Sequence, residues 1–131
     1  MNYNLDKILA EVSAGELIDK ITILEIKKTK INDDNKLKDI EKELSSLNIT
    51  FKTSIPDLSK IDQLIDRLKS INIKLWDIEN GKRLAEKNNK FDENFIELAR
   101  TVYKTNDERA KIKLEINNIL GSNIKEVKSH Y

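Results

Sequence analysis

The chain has 131 residues, 38% apolar and 36% charged, with 24 Lys and Arg against 23 Asp and Glu. Three Gly and one Pro are too few for an all-β fold built on many turns, and too few for a disordered linker. A net charge of +1 lacks the basic excess of a general nucleic-acid binder, no apolar run nears the ~18 residues of a membrane span, and the lack of Cys removes disulfides, thiolate zinc sites and cysteine nucleophiles.

The length suits one domain over 1–131. The only His, His130, argues against His-rich metal sites and a Ser-His-Asp triad, and no metal or cofactor is expected. Without a signal-peptide pattern at its start, the chain reads as soluble and cytoplasmic.

In residues 1–12, Leu5, Ile8, Leu9 and Val12 fit a helical spacing, but the stretch is short and also suits an extended segment. Ser13-Ala14-Gly15-Glu16 reads as a capping box, opening a first helix that runs to about Ile31. Leu17, Ile21, Leu24 and Ile31 share one face, with Ile18 beside them and Ile23 and Ile26 on the far side. A helix apolar on two sides is central in its bundle or part of an oligomer contact. Asn32-Asp33-Asp34-Asn35 is a turn whose Asp caps a second helix, with Leu37, Ile40, Leu44 and Leu47 as its stripe. These two helices form an antiparallel hairpin.

Residues 48–56 are β-branched, end at Pro56, and read as a connector. A third helix is expected from near Pro56-Asp57 to Asn88, with Gly81 as a weak point. Asn88-Asn89 turns the chain. Phe91 and Asp92 start a fourth helix, as hydrophobic staple and N-cap respectively, and it ends near Leu120 with Gly121 as its C-cap. The tail 122–131 is polar and short. The fold class is therefore all-α, a bundle of four main helices in two antiparallel hairpins.

At about 100° per residue, Phe95, Leu98, Ala99, Val102, Ile116 and Leu120 share one stripe of the fourth helix. Asn106, Arg109, Lys113 and Asn117 interrupt that stripe. The third helix shows the same interruption: Leu58, Ile61, Ile65, Leu68, Leu75 and Trp76 form its face, and Glu79, Arg83 and Glu86 continue it. Glu79 and Arg83 are spaced to pair along the helix. Antiparallel packing about the 88–91 turn puts Glu79 opposite Val102–Asn106, and Trp76 near Arg109. The first helix adds Lys28 to its main face and Glu25 to its flank.

Charges on apolar faces must be paired, hydrated or line a cleft. One reading is a satisfied polar layer that sets helix register, or a splayed, solvated end of the bundle. The other is a pocket of mixed charge. There Arg83, Arg109 and Lys113 bind an anion, Glu79 orients them or acts on a proton, Asn106 and Asn117 read a polar substrate, and Trp76 forms an apolar wall. The chain has 20 Lys and only four Arg. That skew reflects AT-rich coding, or arginines kept for a planar fork that Lys cannot copy. Asp62 and Asp66 are read as solvated surface, Glu41 and Glu43 lack the paired spacing of helical pyrophosphohydrolases, and no P-loop, dinucleotide-binding or nucleophile-elbow motif occurs.

Three segments, Gly15–Lys27, Leu75–Glu79 and Phe95–Lys113, with the closing Glu126–Tyr131, resemble an uncharacterised family of small helical proteins known only as a domain of unknown function. The likeness covers nearly the whole chain. It implies occurrence in aquatic bacteria and their viruses, sometimes near genes for surface-polysaccharide glycosyltransferases. It carries no established activity and no assigned site residues. Placing Arg, Lys and Glu inside a helical bundle is also similar in physical logic to the all-helical chorismate mutases, although no linear motif matches.

Two function classes follow. In the first, Trp76, Glu79, Arg83, Asn106, Arg109, Lys113 and Asn117 form a pocket for a small anionic metabolite. The resemblance points to a phosphorylated sugar or nucleotide-sugar. In the second, the protein is a non-enzymatic helical adaptor, and the polar cluster only sets register. A homodimer through the first helix, or through the ends of the third and fourth, is expected in either case. No nucleic-acid or membrane partner is expected.

Overall fold

A computed structural model describes residues 4–128. It contains α1 (Ala14–Lys30), α2 (Asp34–Ser54), α3 (Asp62–Lys87) and α4 (Glu93–Leu120), with no strand among the described residues. The all-α architecture of two helical hairpins is as expected. His130 and the last residues of the closing motif lie outside the described residues. Among those described, no helix is long and apolar enough to cross a membrane.

α1 packs against all three other helices, and its two apolar faces explain why. One face carries Leu17, Ile21 and Leu24 against Ile40 and Leu44 of α2. The other carries Ile18 against Leu64 and Leu68 of α3 and Ile112 and Ile116 of α4. Phe51, near the end of α2, touches both groups. Each such Leu or Ile taken fully from water contributes roughly 1.5–3 kcal/mol, so α1 is the element that joins the two hairpins.

The termini follow local chemistry. The Ser13 hydroxyl accepts from the Glu16 N–H, Asp33 from Asn35 and Lys36, and Asp92 from Phe95. The capping box is only half formed, because the Glu16 carboxylate reaches Lys113 of α4 instead. Gly121 sits at φ +64°, the left-handed conformation of a helix C-cap. Asn89, at φ +53°, takes the same region in the α3–α4 turn, where Asn is the side chain best suited after Gly.

Two boundaries differ from expectation. The β-branched stretch read as a connector is the last part of α2. Its Thr50 and Thr53 hydroxyls donate back to the Ser46 and Ile49 carbonyls, and Phe51 packs onto the core. Burial of that ring outweighs the weak helix preference of its neighbours. Only Pro56 stops the helix, by disfavouring helical geometry at Ile55. α3 then starts later than expected. Asp57 accepts from the Ser59 N–H at 3.0 Å, a local turn that competes with helix, and regular structure resumes at Asp62. Gly81 does not interrupt α3. Residues 4–13 form neither helix nor strand.

Candidate functional site

The polar residues of α4 face α1, and a glycine sets the distance between them. A Cβ on Gly15 would lie 2.6 Å from the Lys113 carbonyl oxygen and 2.9 Å from Asn117 Oδ1. Only a residue without a side chain lets the start of α1 come so close. In that contact the Gly15 N–H donates to Asn117 Oδ1 at 2.6 Å, and the Ala14 N–H donates to the Ser122 hydroxyl at 3.1 Å. Asn117 is buried and caps α1.

One turn further along α1, Asp19 is 1% exposed and collects donors from two helices. Arg109 holds it with a forked pair, Nε to Oδ1 at 3.0 Å and Nη2 to Oδ2. Asn72 of α3 donates to Oδ1 at 2.9 Å and to the Thr22 hydroxyl at 2.8 Å. The Lys113 ammonium stands 3.8 Å from Oδ2. It binds Glu16 at 2.7 Å and Glu126, from the tail, at 2.6 Å. Among the described residues no buried side-chain polar atom lacks a partner. Asp19 is thus paired at both oxygens, with Arg109 and Asn72 on Oδ1 and Arg109 on Oδ2.

The charges perturb one another. The Arg109 guanidinium is held above its ordinary pKa, first by its hydrogen bonds to Asp19 against the opposing effect of burial. Burial pulls the Lys113 pKa down, but its hydrogen bonds to Glu126 and Glu16 and the charge of Asp19 more than offset this, so it is raised from 10.5. A raised folded-state pKa stabilises fully below the unfolded value and is lost as pH rises through the folded one. The stability difference between wild type and Lys113→Met, read by urea unfolding, is therefore expected to stay level from neutral pH to about 10 and to shrink above 10.5. A difference that already shrinks below pH ~9 would contradict this coupling.

The seven candidate residues do not share one cavity. Trp76, Glu79, Arg83 and Arg109 border a groove of about 400 Å³ between α1 and α3, with Ile23 and Lys27 on its α1 side. Asn106, Arg109 and Lys113 border a second depression, of about 330 Å³, under the tail. Asn117 and Lys113 border a third, of about 320 Å³, on the tail's other side. Asn106 Oδ1 accepts from Arg109 Nη1 at 3.5 Å, and Arg109 is the residue common to the first two spaces.

Some pairings differ from expectation. Glu79 pairs with Lys82 at 3.6 Å, not with Arg83. Lys28 is exposed, 4.0 Å from Glu41 of α2, and not on the buried face. Glu25 binds Lys69 at 2.9 Å. Ile26 is 4% exposed within the single chain and Ile23 is half-buried, and both border the groove.

Sequence reasoning missed Asp19, Asn72, Glu16, Lys27 and Glu126. A signal existed for the first two. Asp19 precedes Ile23 and Ile26 by four and seven residues, so it lies on the second apolar face of α1. Asn72 lies one turn from both Leu68 and Trp76. For Glu126 there was none, because nothing periodic places a tail residue.

Among the described residues no group of three or more His, Cys, Asp or Glu is arranged to hold a metal ion. Residues 8–131 match a family of unknown function, DUF6165. No curated protein and no solved structure matches the chain.

Proposed function

The chain belongs to this family of unknown function, and we propose that it binds a small anionic metabolite in the groove between α1 and α3. The observation that carries this reading is the imbalance of charge there. Lys27 and Arg83 border the groove, and among the described residues neither has a carboxylate within 4.0 Å. Glu79, the one acid at its edge, is already engaged by Lys82. Arg109 also borders it, with its guanidinium oriented by Asp19.

A ligand that suits these groups has two parts. A phosphate or carboxylate meets Arg83 through its planar fork, with Lys27 adding charge. A flat or apolar part rests against Trp76, Leu75 and Ile23. About 400 Å³ falls within the roughly 300–1,000 Å³ of small-molecule sites. A phosphorylated sugar or nucleotide-sugar meets both requirements, and it is the class to which the family resemblance points. No reaction is assigned.

Trp76 is the only tryptophan, so its fluorescence reports on the groove alone. Titration with sugar phosphates and nucleoside-diphosphate sugars is expected to give a saturable change. Arg83→Met should weaken it about tenfold, the scale of one hydrogen bond to a charged group. Silence across the panel, or binding indifferent to Arg83→Met, would refute the groove as the site.

A second reading, a helical adaptor or oligomerisation module, has its own support. Leu5, Ile8, Leu9 and Val12 are 75%, 81%, 86% and 50% exposed. Their spacing would form one apolar stripe if a partner induced helix there.

A further inference from the structure

Beyond α4 the chain turns back on itself. The Ser122 N–H donates to the Asn117 carbonyl at 2.8 Å, and the tail then runs antiparallel along the helix. Glu126 reaches Lys113 at 2.6 Å, and Lys128 reaches Asp107, nearly two turns earlier on α4, at 2.7 Å. Nearer the helix end, Asn123 Nδ2 donates to Glu11 Oε1 at 2.7 Å and the Ser122 hydroxyl to the Ile124 carbonyl at 2.9 Å, but among the described residues only the two ion pairs hold residues 125–128. Val127 is 83% exposed and Ile124 is 40% exposed. Spaces of about 330 and 320 Å³ remain on its two sides, each bordered by Lys113, Glu126 and Lys128.

The two ends of the Glu126–Lys113 pair differ in kind. The Lys113 side chain is 8% exposed, and Glu126 is 54% exposed. The ammonium belongs to the interior, whereas its tail partner approaches from water. The charges beneath are balanced without the tail: Asp19 and Glu16 against Arg109 and Lys113. Glu126 is one additional negative charge on a neutral cluster, placed where an incoming ligand would sit.

We propose that this position is a carboxylate-binding site whose resident occupant is the chain's own Glu126, and that the tail is a strap which a ligand carboxylate displaces. The site shares Arg109 with the groove of Trp76 and Arg83, but no other described residue borders both. A single carboxylate replaces Glu126 charge for charge. A phosphate dianion would bring a second negative charge beside Asp19 and Glu16, which like-charge repulsion disfavours. Asn106 and the guanidinium edge of Arg109 border the same space and supply further donors.

The test uses the full-length chain and amide NMR shifts of residues 109–114 and 125–128 at constant ionic strength. The probes are acetate, for a free acid, and the end-capped tripeptide Glu-Val-Lys, for an acidic side chain on a peptide. Whichever binds more tightly identifies the source. Both sets of amides should shift saturably. Glu126→Gln should tighten binding about fivefold, the upper scale for a half-exposed ion pair, and Lys113→Met should abolish it. Inorganic phosphate should bind more weakly than acetate. Equal affinity in wild type and Glu126→Gln, shifts that survive Lys113→Met, or no shift with either carboxylate would overturn the proposal. Glu126→Gln alters only an exposed tail residue, so the test stands even if Lys113→Met fails to fold. Glu126 does not border the groove, so Glu126→Gln should leave the Trp76 titration with sugar phosphates unchanged, and the two results succeed or fail separately.

Discussion

Arg109→Met is expected to lower folding stability by about 3–5 kcal/mol, the scale for removing one partner of a buried ion pair. Asp19 is 1% exposed, and Arg109 supplies two of its closest donors. Without the guanidinium, the carboxylate keeps only Asn72 at 2.9 Å and the Lys113 ammonium at 3.8 Å. Neither replaces the forked pair. Replacing both partners, as Asp19→Leu with Arg109→Met, should cost much less than the single change. The desolvation penalty then disappears along with the attraction. Urea unfolding of the two singles and the double reads this directly. A loss for Arg109→Met within ~0.5 kcal/mol, the range of an ordinary surface substitution, would mean that the pair does not hold α1 to α4.

Gly15→Ala should reverse the usual sign of its substitution. In an open helix Ala is favoured over Gly by up to ~1 kcal/mol. Here the added carbon meets the Lys113 carbonyl oxygen at 2.6 Å. That atom is backbone in the interior of α4, so relief requires moving a helix. The Gly15 N–H bond to Asn117 and the ion pairs one turn away stretch with it. A loss of about 1–3 kcal/mol is expected, as for an overpacked core. Gly81→Ala is the internal contrast. Its new carbon meets Leu98 Cδ1 at 3.2 Å, the end of a half-buried side chain that can rotate away, so stability should hold or rise slightly. Equal effects at the two glycines would mean that close approach at Gly15 is not what sets the α1–α4 distance.

Such contacts mark where sequence reading stopped. Ser13, Asp33, Asp92 and Gly121 were legible because a cap is chosen by groups within a few residues of itself. The central place of α1 followed from its two apolar faces, since a helix apolar on both sides must be covered on both. The polar run Asn106, Arg109, Lys113 and Asn117 was visible as a break in a stripe. Its meaning was not. Asn117 is a cap acceptor for another helix, Lys113 sits under the tail, and Arg109 serves Asp19 while bordering the groove. The helical course of residues 48–54 was missed because intrinsic preference is a few tenths of a kcal/mol per residue, and burial of Phe51 exceeds that.

Composition and periodicity alone determined that this chain is all-helical, where its helices begin and end except at the close of α2 and the start of α3, and that charged groups stand on otherwise apolar faces. Only the tertiary structure decided which charges are spent and which are available. Arg109 meets a carboxylate 90 positions away, and Arg83 and Lys27 meet none among the described residues. Local preferences act over a turn or two of chain, whereas these pairings depend on how closely α1 crosses α4. That distance is set by the missing side chain of Gly15.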